Sequence, residues 1–86
     1  MKIRFHKDFE KRYEKLTEKE QEKTRGRIGL FLENPFDLRL NNHPLKGKYT
    51  DYRSINITGD IRAVYKLISE KECIFVIIGR HGNLYS

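Results

Sequence analysis

Polar and apolar positions alternate at period two over Lys2-Ile3-Arg4-Phe5-His6, which predicts a short strand with Ile3 and Phe5 inward. The period then lengthens. Phe9, Tyr13 and Leu16 recur at helical spacing, predicting an amphipathic helix over roughly Lys7 to Leu16. Thr17-Glu18-Lys19-Glu20 has the form of a capping box, with Thr17 capping and Glu20 reaching back. It predicts a second helix in which Thr24, Ile28, Phe31 and Leu32 share one face, stopped at Asn34-Pro35 because proline cannot continue the ladder. Gly26 and Gly29 weaken this helix locally, and close packing against the first helix would explain them.

Beyond a loop running through Asn42 the period returns to two. Pro44 to Tyr49, Tyr52 to Ile57, Ile61 to Ile68 and Cys73 to Ile78 read as strands. Turn signals separate them at Lys46-Gly47, Thr58-Gly59-Asp60 and Ser69-Glu70-Lys71. These connections are too short for helical crossovers, so the strands are expected to pair antiparallel as a meander. The last is apolar on both faces, as a central or covered strand would be. The expected fold class is α+β in the order β-α-α-β-β-β: a helical hairpin packed on one face of a twisted, mainly antiparallel sheet.

Composition narrows the partners. At 86 residues the chain has room for one domain, 1–86, and its 18 Lys and Arg against 12 Asp and Glu give a net charge of +6. Such a field steers polyanions, so nucleic acid is the first candidate partner and an acidic protein the second. Cys73 is the single cysteine and begins an apolar run, where an inert buried thiol is expected. Met1 to Phe9 has no hydrophobic block of a signal peptide, and no window approaches a membrane span of about 20 apolar residues. The reading is a cytoplasmic protein without membrane contact.

Candidate chemistry collects in the second half. Period two sets Ile61, Ala63, Tyr65 and Leu67 on one face, suited to packing under the helices, and Asp60, Arg62, Val64 and Lys66 on the other, open face. His43 precedes the first meander strand, and the last strand empties into Gly79-Arg80-His81-Gly82-Asn83-Leu84-Tyr85. His6 reads as a strand-end surface residue. No HxxxH or CxxC spacing and no glycine-rich phosphate loop is present, so neither a metal nor another cofactor is expected. Two histidines, an aspartate and several cations are what metal-free RNA cleavage needs. The 2′-hydroxyl must lose a proton, the 5′-oxygen must gain one, and imidazoles do both near neutral pH. Arginine's planar fork suits the charge that builds on the phosphorane, and Tyr85 could stack on a base.

His43-Pro44-Leu45-Lys46-Gly47, Tyr52-Arg53, Gly59-Asp60-Ile61-Arg62-Ala63-Val64-Tyr65 and the tail from Gly79 to Tyr85 together resemble the RelE superfamily of toxins, its YafQ-like branch most of all. The resemblance implies a type II toxin–antitoxin toxin that enters the ribosomal A site and cuts mRNA there. It also implies a cognate antitoxin that wraps a toxin monomer in a hetero-oligomeric complex. By that resemblance His43, Asp60 and His81 match catalytic positions and Tyr85 the terminal aromatic. Arg62 matches the arginine that holds the scissile phosphate, and Arg53 a basic position. Lys46, Lys48, Arg53 and Arg80 would form a basic rim for RNA and ribosome. The chain departs from the pattern at Asn56, where the YafQ type carries another histidine, and at Arg80, where a small polar residue is usual. Two other functions remain open: a ParE-like gyrase poison, although such toxins generally lack the His/Asp/His set, and a catalytically degenerate module that binds only antitoxin or RNA.

Overall fold

The computed structural model describes residues 1–84. Strand β1 (Lys2–Phe5) leads into helices α1 (Lys7–Glu14) and α2 (Glu18–Glu33). A two-residue strand β2 (His43–Pro44) follows, then β3 (Arg53–Asn56), β4 (Ile61–Ser69), β5 (Glu72–Arg80) and the short helix α3 (His81–Leu84). The five strands form one mixed sheet in the order β1-β5-β4-β3-β2. All pairs are antiparallel except β1 with β5, which run parallel with Phe5 opposite Phe75. The architecture is α+β, as the pattern predicted, with four strands after the helices where the expected order has three, and β5 is an inner strand.

Local signals act where they were expected. His6, read only as a strand-end surface residue, also caps α1, its Nδ1 accepting from the Asp8 amide at 3.0 Å. Thr17 and Glu20 complete the capping box reciprocally, at 3.1 and 2.9 Å. The first helix stops at Glu14 rather than Leu16, because Thr17 must be extended to cap the next one. The segment expected as a strand from Pro44 to Tyr49 pairs only at His43–Pro44. Gly47 turns to φ +67° and opens a 3-10 turn over Gly47–Tyr49, ending the ladder.

The core lies between the helices and one face of the sheet. Phe9, Phe31, Tyr65 and Phe75 form an aromatic cluster, Phe31 meeting Tyr65 and Phe75 edge-on at 4.9 and 5.4 Å. Leu40, Ile55, Ile57, Ile61, Ala63, Cys73 and Ile78 complete it. Cys73 is fully buried, and burial pushes its thiol up to about 11. Buried Thr24 satisfies its hydroxyl by donating to the Glu20 carbonyl at 2.8 Å. Four expectations need correction. Leu32 is half-exposed, while Thr24 and Phe31 of its helix are buried and Ile28 and Leu30 pack against the core. Leu67 is exposed, although its cross-strand partner Cys73 is buried in the core. Gly26 and Gly29 admit no close approach: a Cβ at either would meet nothing within 4 Å. Phe5, placed inward by the pattern, touches Phe9 and Phe75 yet stays exposed at the sheet edge.

Register decides what the other face of the sheet presents. In an antiparallel ladder, residues directly opposite share a face. Arg53, Ile55, Tyr65 and Ala63 therefore belong to the helix side, while Ser54, Asn56, Val64 and Arg62 belong to the open side. Between β4 and β5 the register shifts at Val64/Tyr65, leaving Val76 as the extra residue. The bulge lets Phe75 and Ile78 both enter the core while Ile77 and Gly79 face Val64 and Arg62.

Candidate active site

On the open side, His43 stands opposite Ser54, Ser54 opposite Val64, and Val64 opposite Ile77. Two residues along, a second row runs Asn56, Arg62, Gly79. His43 and Arg62 thus reach the same surface from strands separated in sequence. Asp60 and His81 join at its end, where the His81 amide donates to the Asp60 carbonyl at 2.8 Å.

A tied loop positions His43. Asn41 adopts the left-handed conformation, φ 46°, which asparagine tolerates better than most residues. Its carbonyl lies 2.8 Å from His43 Nδ1. A carbonyl only accepts, so the bond places the proton on Nδ1 and leaves Nε2 as the ring's acceptor. Asn42 anchors the same loop. Its Nδ2 donates to the Pro35 carbonyl and the Tyr65 hydroxyl, both at 2.8 Å, and its Oδ1 accepts from Arg53 Nε at 2.8 Å. Burial pushes the Tyr65 phenol up.

Arg62 folds over the β3–β4 turn. Its Nη1 donates to the carbonyls of Thr58 and Gly59 at 2.9 and 3.1 Å. Beside it, Asn56 buries its Oδ1 with no hydrogen-bond partner among the described residues. Asp60 is exposed and pairs with Arg80 at 3.2 Å. Arg80 also reaches Glu20 at 2.9 Å, and the two carboxylates hold its guanidinium up. Glu20 in turn is held low by the Thr17 amide and by Arg80.

Two members of the expected basic rim lie elsewhere. Arg53 is on the helix side, bonded to Asn42 and seated over the Phe36 ring at 5.3 Å. Arg80, opposite Ile61, also faces the helices, where it ties the start of α2 to Asp60. Lys46 and Lys48 stay on the exposed β2–β3 connection, with Lys48 Nζ 5.3 Å from the Tyr49 ring centre. Tyr85 falls outside the described residues.

The pattern missed a cleft of about 470 Å³ on the open face, lined by His6, Lys48, Tyr49, Tyr52, Val64 and Leu84 among others. Tyr49 and Tyr52 meet edge-on at 6.3 Å, and Lys66 lies over Tyr52 at 5.6 Å. The aromatic and basic residues of Lys48-Tyr49-Thr50-Asp51-Tyr52 were the available signal. Also missed was Arg12, which α1 brings beside Gly79: a Cβ at Gly79 would stand 3.4 Å from Arg12 Nη1 and 3.1 Å from Leu84 Cδ2. No sequence spacing links positions so far apart. Among the described residues, no three His, Cys, Asp or Glu side chains gather as a metal-binding cluster.

This sheet with its two leading helices is the RelE-like toxin fold. The whole chain, residues 1–86, matches the family described as a bacterial toxin of type II toxin-antitoxin system, YafQ. The chain belongs to that YafQ toxin family. Crystalline YafQ from E. coli strain BL21(DE3) is 26% identical, with TM-score 0.80 over 98% of this chain and 97% of that one. YafQ in the E. coli DinJ-YafQ toxin-antitoxin complex is 26% identical, TM-score 0.76, over 98% and 96%. A copper-bound mutant toxin from Helicobacter pylori is 26% identical, TM-score 0.73, over 99% of each chain. Comparison with curated proteins finds no significant match. No described helix is long and apolar enough to cross a membrane.

Proposed function

We propose that this toxin is a ribosome-dependent mRNA endonuclease, a single catalytic domain that needs no metal or other cofactor. It would act in the cytoplasm and be neutralised by a cognate antitoxin. The observation that carries the reading is the shared open face: His43 and Arg62 on adjacent rows, with Asp60 and His81 joined at its end. In this reading His43 Nε2 takes the proton of the 2′-hydroxyl as that oxygen attacks the neighbouring phosphorus. The bond of Nδ1 to the Asn41 carbonyl supports that direction of transfer. His81 protonates the departing 5′-oxygen, leaving a 2′,3′-cyclic phosphate. Arg62 stabilises the phosphorane, and Asp60 orients the tail through Arg80 and the His81 amide. Lys46 and Lys48 contact the RNA backbone, and Tyr85 supports a base. The antitoxin partner is supported by the E. coli relative crystallised with DinJ.

Cleavage of ribosome-bound mRNA, mapped by primer extension, tests the proposal. His81→Ala should lower the rate on the order of 10²-fold with folding intact. A 2′-deoxy nucleotide at the scissile position should abolish cutting. Cutting that survives the deoxy substitution, or wild-type His81→Ala activity, would overturn the mechanism.

A further inference from the structure

The arginines chosen from sequence are largely committed to the fold. Arg53 is held by Asn42 and Phe36, Arg80 by Glu20 and Asp60, and one nitrogen of Arg62 by turn carbonyls. Arg12 is exposed on α1 and, among the described residues, has no carboxylate or hydrogen-bond partner at its guanidinium. Its position is nonetheless defined. Pairing of β1 with β5 ends at Phe5 and Phe75, and α1 packs against β5 directly. This brings Arg12 Nη1 to within 3.4 Å of where a Gly79 Cβ would stand. Gly79 is the cross-strand partner of Arg62 on the open face, and Cβ positions of such pairs lie about 5 Å apart. A side chain at Gly79 would crowd both Leu84 and Arg12, so this glycine leaves the guanidinium room at the site.

We propose that Arg12 is a second phosphate-binding guanidinium of the RNA site, contributed by α1 across the strand from Arg62. The ligand is an RNA phosphodiester at or next to the scissile one. The inference rests on the nuclease reading above. Two guanidiniums flanking one face divide the work: Arg62 is pre-oriented by the turn, and Arg12 is free to close on the phosphate once RNA is present.

The test compares Arg12→Ala, Arg12→Lys and Lys11→Ala, the last removing an equal charge one residue away. Single-turnover cleavage of mRNA on purified programmed ribosomes should fall at least about tenfold for Arg12→Ala. It should fall less for Arg12→Lys and stay near wild type for Lys11→Ala, with equal melting temperatures. Affinity for a short 2′-O-methyl RNA, followed by fluorescence anisotropy against salt, should lose about 0.7 of slope for Arg12→Ala alone. Equal behaviour of Arg12→Ala and Lys11→Ala in both assays would show that only bulk charge matters and would overturn the proposal. If the wild type itself does not cut mRNA, the nuclease reading fails. The salt slopes then still decide whether Arg12 holds a phosphate.

Discussion

Asn56 offers a sharp test of the open face. Its Oδ1 is buried beside Arg62 without a donor among the described residues, and leaving such a group unsatisfied costs about 1–3 kcal/mol. Asparagine is also disfavoured in strands, where the whole scale spans about 1 kcal/mol. Asn56→Val removes the orphaned oxygen, keeps a similar side-chain size and supplies a β-branched residue at a half-buried position on β3. Lost hydration of the Asn56 amide nitrogen offsets part of that gain, so the net expectation is about 1 kcal/mol of added stability. In a domain of this size that raises the melting temperature by roughly 4–8 °C. Urea unfolding followed by circular dichroism should show a higher midpoint with an unchanged slope. If Asn56→Val instead loses about 1 kcal/mol or more, the oxygen is satisfied in solution and the reasoning fails. A stabilised variant that also cuts mRNA more slowly would mean that the amide is kept for the site at a cost to the fold.

Other consequences are simpler to check. Gly26→Ala and Gly29→Ala add a Cβ that meets nothing, so each should stabilise α2 by up to about 1 kcal/mol, read as a higher melting temperature. A loss of stability at either would reveal a contact the fold does not show. Burial raises the Cys73 thiol from its ordinary 9.0 to about 11, so the fold favours the protonated form. The stability this contributes is present below pH 9 and is lost as pH rises through about 11. Native protein at pH 8 should react with a thiol reagent only as it unfolds; rapid labelling without unfolding would contradict that burial.

Much of this protein was legible from its sequence because the signals are local. Thr17 and Glu20 lie one turn apart, Pro35 stops α2 through its own ring, and the turns around Gly59 and Glu70 need only their neighbours. The alternation from Ile61 to Tyr65 set Ile61, Ala63 and Tyr65 in the core and Arg62 on the other face, where Val64 is nonetheless buried. What failed depended on register and on distant partners. Arg53 is basic in sequence, but its position opposite Tyr65 turns it to the helix side, where Asn42 and Phe36 engage it. Arg80 is claimed by Glu20, 60 positions away. The extra residue Val76 breaks the period of β5, and only the ladder with β4 reveals which side chains change sides. The parallel pairing of β1 with β5 carries α1, and with it Arg12, to Gly79. Local propensity and periodicity determined the elements and their buried faces, because those follow from the backbone geometry of neighbouring residues. Which cations face the open sheet was decided only by tertiary pairing, because a strand's register is set by the strand it meets.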